Sequence, residues 1–93
     1  MITSIVTIKL YASWIHSLKE KRKVIKSLCE KLRKKYNVSV IESDAQDIHQ
    51  TIILSIAFLA GSTALADSTC EKICDFIDNN TDAEVADVQI DFC

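Results

Sequence analysis

Seven consecutive residues, His16-Ser17-Leu18-Lys19-Glu20-Lys21-Arg22, combine a helix start with a cluster of cations, a combination that suits phosphates and other anions. Ser17 followed three residues later by Glu20 is a capping-box pattern. The Ser hydroxyl accepts from the Glu20 N–H while the Glu carboxylate reaches back to the Ser17 N–H. A helix therefore begins at about Leu18. Its N-terminus carries roughly half a positive charge, and each cation in the first turn costs about 0.3–1 kcal/mol at low salt. Lys19, Lys21, Arg22 and Lys23 nevertheless crowd into the first two turns. Backbone N–H groups and clustered ammonium and guanidinium groups together favour a bound anion. The plainer reading is a solvated face, partly neutralised by Glu20 and by carboxylates elsewhere.

A second group, Asp44, Asp47 and His49 together with His16, has the side chains of an acid–base or metal site. Such residues more often pair with lysines and close turns. The chain has one glycine, hence no Gly-rich phosphate loop, and it shows no nucleophile motif and no string of metal ligands. The expectation is a non-catalytic protein with no cofactor and no metal. Of the four cysteines, Cys70 and Cys74 are one helical turn apart rather than at knuckle spacing. Reduced thiols follow, buried except for Cys93.

These groups must be positioned by six elements. Met1 to Tyr11 alternates, with Val6, Ile8 and Leu10 on one face, and reads as a strand. The helix from Leu18 runs to about Tyr36, its apolar stripe made by Leu18, Ile25, Leu28 and Leu32. Lys21 falls on the inward side of that wheel, so its stem must lie along apolar surface and its head must emerge at one spot. Val38 to Ser43 and Thr51 to Leu59 are strands joined by the polar segment 44–50. A second helix opens at Gly61-Ser62-Thr63 and ends at about Asn79, with Ala66, Cys70, Ile73 and Ile77 inward. The last strand, Glu84 to Phe92, has Ala86, Val88, Ile90 and Phe92 inward and Val85, Asp87, Gln89 and Asp91 outward.

The order strand-helix-strand-strand-helix-strand with right-handed crossovers predicts a ferredoxin-like βαββαβ sandwich, a four-stranded antiparallel sheet with both helices on one face. Strands one and three are then central. The start of the first helix, the 44–50 hairpin and the turn after the second helix meet at one end, with Lys21 and Arg22 near Asp44, Asp47 and His49.

With 93 residues there is one domain, residues 1–93, which buries around 60–65% of its unfolded surface. No apolar run reaches the roughly 18 residues of a membrane helix, and Met1 to Tyr11 lacks a basic leader, so a cytoplasmic protein is expected. The net charge of −2 conceals a division. Residues 1–36 hold ten of the eleven basic residues and carry +8, whereas residues 37–93 carry −10. A uniformly basic nucleic-acid binder is excluded, and steering by a polarised charge remains.

The run His16 to Arg22, then Lys26-Ser27-Leu28, Asn37-Val38-Ser39-Val40 and Asp44-x-Gln46-Asp47 with Gln50, resembles the small bacterial YlxP-like proteins over nearly the whole chain. The sequence departs from them at His49, where similar proteins usually carry an aromatic. The resemblance implies the ferredoxin-like fold. It also implies work on RNA or the ribosome, because genes of this family commonly lie among those for transcription and translation factors.

Where this fold binds RNA on its sheet, aromatics of the central strands stack the bases. Here Tyr11 is the one ring there, beside Ile53, Ser55, Ala57 and Leu59. RNA is therefore expected on Lys19, Lys21, Arg22, Lys23 and Lys26, with Lys9, Arg33, Lys34 and Lys35 along the same half, through backbone phosphates. The alternative is a homo-oligomer or interaction module using an apolar sheet face of Ile5, Ile41, Ile53 and Leu59.

Overall fold

A computed structural model describes all residues, 1–93, in the order β1 (Ile2–Tyr11), α1 (Leu18–Lys35), β2 (Ser39–Asp44), β3 (Thr51–Ala60), α2 (Thr63–Asn79) and β4 (Glu84–Phe92). The strands form one antiparallel sheet in the order β2-β3-β1-β4, so β1 and β3 are central as the topology requires. This is the ferredoxin-like arrangement. No helix is long and apolar enough to cross a membrane.

Period-2 patterning puts Val6, Ile8 and Leu10 of β1 and Ile52, Leu54, Ile56 and Phe58 of β3 on the face that the helices cover, and all are buried. From α1, Leu28, Cys29 and Leu32 close the core over β2 and β3; from α2, Ala66, Cys70, Ile73 and Ile77 do so over β1 and β3. Each large side chain taken out of water in this way contributes about 1.5–3 kcal/mol. The two helices are fastened at one end by an edge-to-face contact of Tyr36 with Phe76, ring centroids 5.7 Å apart, and by the Tyr36 hydroxyl donating to the Lys72 carbonyl.

Helix boundaries follow local chemistry. Ser17 is the N-cap of α1, its Oγ accepting from the Glu20 N–H at 3.1 Å, and Ser62 rather than Thr63 caps α2 by accepting from Leu65 N–H. The last turn of α1 holds Arg33, Lys34 and Lys35, where cations complement the helix dipole. The chain leaves α1 through Tyr36 in extended backbone, about where the sequence ends the helix.

The last strand departs from expectation. Along β4 every residue is exposed, including the Ala86, Val88, Ile90 and Phe92 that alternation assigns to the core. Val88, Ile90 and Phe92 do lie on the helix side, opposite Ile8, Val6 and Ser4, but β4 is an edge strand and α2 does not reach across it. A register shift between Lys9 and Leu10 also inserts Ala86 as an extra residue. Val85, expected outward, consequently stands opposite buried Leu10 on the helix side.

Candidate nucleic-acid interface

The cations of α1 separate into one that is buried and the rest. Lys21 occupies a core position on the helix and is 1% exposed. Its Nζ donates to the carbonyls of Ala45 and Ile48, both at 2.6 Å, and lies 2.8 Å from Glu42 Oε2. The approach to Glu42 is Coulombic and off the hydrogen-bond direction, which leaves Oε2 without a donor of its own. An ammonium taken out of water needs such a set of partners, because an unpaired one is too costly to keep buried. The inward wheel position of Lys21 is thus explained by a loop it holds, and the residue is withdrawn from any contact with RNA.

That loop is the β2–β3 connection. Ala45 takes a positive φ of 56°, Asp44 Oδ1 accepts from the Ala45 N–H at 2.8 Å, and Ile48 N–H donates back to the Ala45 carbonyl. Gln50 ties the loop to the β1–α1 connection: its carbonyl accepts from Ala12 N–H and its Nε2 donates to the Ser13 carbonyl. The residues of the Asp44-x-Gln46-Asp47 and Gln50 motif therefore shape one end of the fold around Lys21.

The remaining assignments divide. Lys19, Arg22, Lys23, Lys26 and Lys34 are exposed on the outward side of α1, a ridge about 27 Å long from its 18 residues, and none has a carboxylate within ion-pair distance. Arg33 belongs to the same ridge, yet its Nη2 donates to the Val40 carbonyl at 3.0 Å and covers an acceptor on the β2 edge. Lys9 does not share the patch. It lies on the open face of the sheet, opposite Asp87 of β4, with the whole sheet between it and α1.

Of the second group, His16, Asp47 and His49 line one shallow depression with Ile15, Ile48 and Gln50. Asp44 is not among them, because its carboxylate is turned onto its own loop backbone. No three His, Cys, Asp or Glu side chains are arranged to hold a metal ion.

One residue passed over in the sequence belongs to the site. Trp14, exposed in the β1–α1 connection, lines a groove with Lys23, Val24 and Ser27 of α1 and with Asn80, Thr81 and Asp82 after α2. This is the meeting of segments that the topology predicts, now with an aromatic ring beside a lysine, a pairing that suits a base and its phosphate. A lone tryptophan in a loop has no periodicity to mark it.

The open sheet face carries Thr7, Ser55 and Ser43 in a line of hydroxyls, with Ser55 Oγ to Ser43 Oγ at 2.7 Å. Ile41 and Leu59 flank it, 63% and 64% exposed. The thiols of Cys29, Cys70 and Cys74 are all pushed up from their ordinary value of 9.0, first by burial. For Cys70 and Cys74 neighbouring acidic groups add to this, and for Cys29 Arg33 opposes it. Cys29 and Cys70 are buried, whereas Cys74, expected buried, is only half-buried at the edge of the core because it faces the groove between α2 and β4.

Residues 3–90 match the family described as "Protein of unknown function (DUF503)". The "Uncharacterized protein YlxP" of Bacillus subtilis (strain 168) is 34% identical over 68 residues, 73% of this chain and 74% of that protein. Among solved structures, "De novo designed protein Foldit4" aligns with a TM-score of 0.46 and 13% identity, over 99% of this chain and 94% of the other. With a match running from β1 into β4 and a curated relative alike over most of both lengths, the chain belongs to the DUF503, YlxP-like family.

Proposed function

We propose that the protein is a non-catalytic, cytoplasmic RNA-binding module, acting on structured RNA or the ribosome and holding phosphates along the outward ridge of α1. The observation that carries this reading is the set Lys19, Arg22, Lys23 and Lys26: four exposed cations without carboxylate partners, three of them in the first two turns, next to the helix end where the peptide dipoles also attract anions. Trp14, at the foot of the ridge, supplies a stacking surface for an unpaired base. Lys21 serves the site only by fixing the adjoining loop.

The test is fluorescence anisotropy of a labelled RNA hairpin over a salt series. Release of counterions from four phosphates gives a log–log slope near −3.6, so affinity falls about a hundredfold between about 50 and 200 mM salt. The quadruple alanine variant at Lys19, Arg22, Lys23 and Lys26 loses this binding while keeping its fold. No binding at low salt, or undiminished binding by the variant, removes the proposal.

A second reading is favoured by Ile41 and Leu59, whose exposure on the open sheet face fits a contact with a second copy. Sedimentation equilibrium distinguishes it, since a monomer at high concentration counts against it.

A further inference from the structure

The two edges of the sheet are treated differently. At β2, the Arg33 guanidinium covers the Val40 carbonyl. At β4, no side chain from another element covers the edge. Thr3 and Cys93 exchange both backbone hydrogen bonds, Cys93 N–H to Thr3 O at 2.8 Å and Thr3 N–H to Cys93 O at 3.2 Å. Antiparallel pairs alternate, so the N–H and C=O groups of Phe92, Ile90 and Val88 point away from β1. The Val88 N–H is occupied by Asp87 Oδ1 at 3.0 Å, whereas Ile90 and Phe92 keep a donor and an acceptor each on the open edge.

The side chains of those residues face the helix layer and remain 42% and 44% exposed. Beside them runs a groove between β4 and α2, floored by Cys70, Cys74 and Ile90 and rimmed by Asp67, Glu71 and Asp75. On the opposite face of the same strand stand Asp87 and Asp91. An apolar floor lies within an acidic rim, next to unpaired strand backbone.

We propose that this edge docks an extended segment of a partner protein in which apolar and basic residues alternate. The segment adds a fifth strand to β4. Its apolar side chains fill the groove, and its lysines or arginines, on the opposite face of the added strand, meet Asp87 and Asp91, while the α2 carboxylates attract the cationic segment only at longer range. Charge selects the occupant. A second copy paired through β4 brings Asp87 and Asp91 of both chains onto one sheet face, and the acidic sides of the two α2 helices toward one another, so like charges oppose self-pairing. The inference is independent of RNA binding, which uses α1 over the other half of the sheet.

The probe is a blocked peptide, acetyl-(Lys-Val)-(Lys-Val)-(Lys-Val)-amide, titrated against the full chain with amide resonances as readout. A peptide of the same composition with its lysines and valines in separate blocks serves as control. The expected result is perturbation centred on Ile90 and Phe92, with the alternating peptide binding at least tenfold more tightly than the blocked-order one. Ile90→Glu and, separately, Asp91→Lys on the open face of β4 each weaken it about tenfold. Equal binding of both peptides, perturbation centred elsewhere, undiminished binding by Asp91→Lys, or self-association of the free chain through β4 overturns the proposal.

Discussion

Lys21 and Glu42 lie 2.8 Å apart, one from the second turn of α1 and the other from β2, and the ammonium between them also organises the loop that follows. A charge within the core has become the fastening of one end of the sandwich.

Replacing Lys21 with alanine leaves the Ala45 and Ile48 carbonyls without their donor and Glu42 without its counter-charge. A loss of about 2–4 kcal/mol is expected, near the range for breaking a buried pair and reduced because Glu42 is 18% exposed. Lys21→Met, which keeps the apolar stem, recovers only part. Arg22→Ala, one residue on and exposed, stays within about 0.5 kcal/mol. Urea unfolding monitored by circular dichroism decides, and equal effects at 21 and 22 refute the fastening.

Ala45 holds a left-handed backbone at φ 56°, which costs a residue with a Cβ about 1–2 kcal/mol. Ala45→Gly is expected to stabilise by up to about 1 kcal/mol, the relief being offset in part by the freer unfolded chain. Ala45→Val should destabilise by more than that. The order glycine, alanine, valine in melting temperature is the check.

The thiols give a pH dependence with a definite sign. Cys29, Cys70 and Cys74 ionise above 9.0 when folded, so beyond that pH the unfolded chain binds fewer protons than the native one. Their contribution to stability is complete below pH 9.0 and declines as pH rises toward their folded values. A thiol reagent at neutral pH should modify exposed Cys93 first, half-buried Cys74 next, and Cys29 and Cys70 only as the protein opens, which counting modified thiols by mass spectrometry will show.

Trp14 and Lys23 line one groove but should act by different physics in RNA binding. Lys23→Ala is expected to lower the salt slope by about 1, and Trp14→Ala to weaken binding by about 1–3 kcal/mol with the slope unchanged. The two slopes, measured on the same hairpin, separate stacking from charge neutralisation.

The strands, the helices and the Ser17 cap were readable because period and capping are local. Boundaries moved by a residue at Ile2, Ser39, Asp44 and Ala60, where pairing with a neighbouring strand decides the end, and at Lys35, where Tyr36 turns extended. Alternation also placed Val88, Ile90 and Phe92 on the correct face. It says nothing of whether a helix covers them, and it cannot show the extra residue that turned Val85 inward. The helical wheel likewise put the Lys21 stem inside, while the acceptors for its head are carbonyls at 45 and 48, aimed by a turn whose positive φ at Ala45 no local pattern announces.

The first strand completes its pairing only with the last, Ser4 opposite Phe92, so nearly the entire chain separates two neighbours in the sheet. Closing contacts so distant along the sequence is slow, and until β4 arrives the apolar central strand has one flank bare. A nascent or proteolysed chain stopped before Glu84 would present the unpaired backbone of Ile5 and Thr7 along a sticky border, and precipitation of such fragments is the natural hazard of this topology.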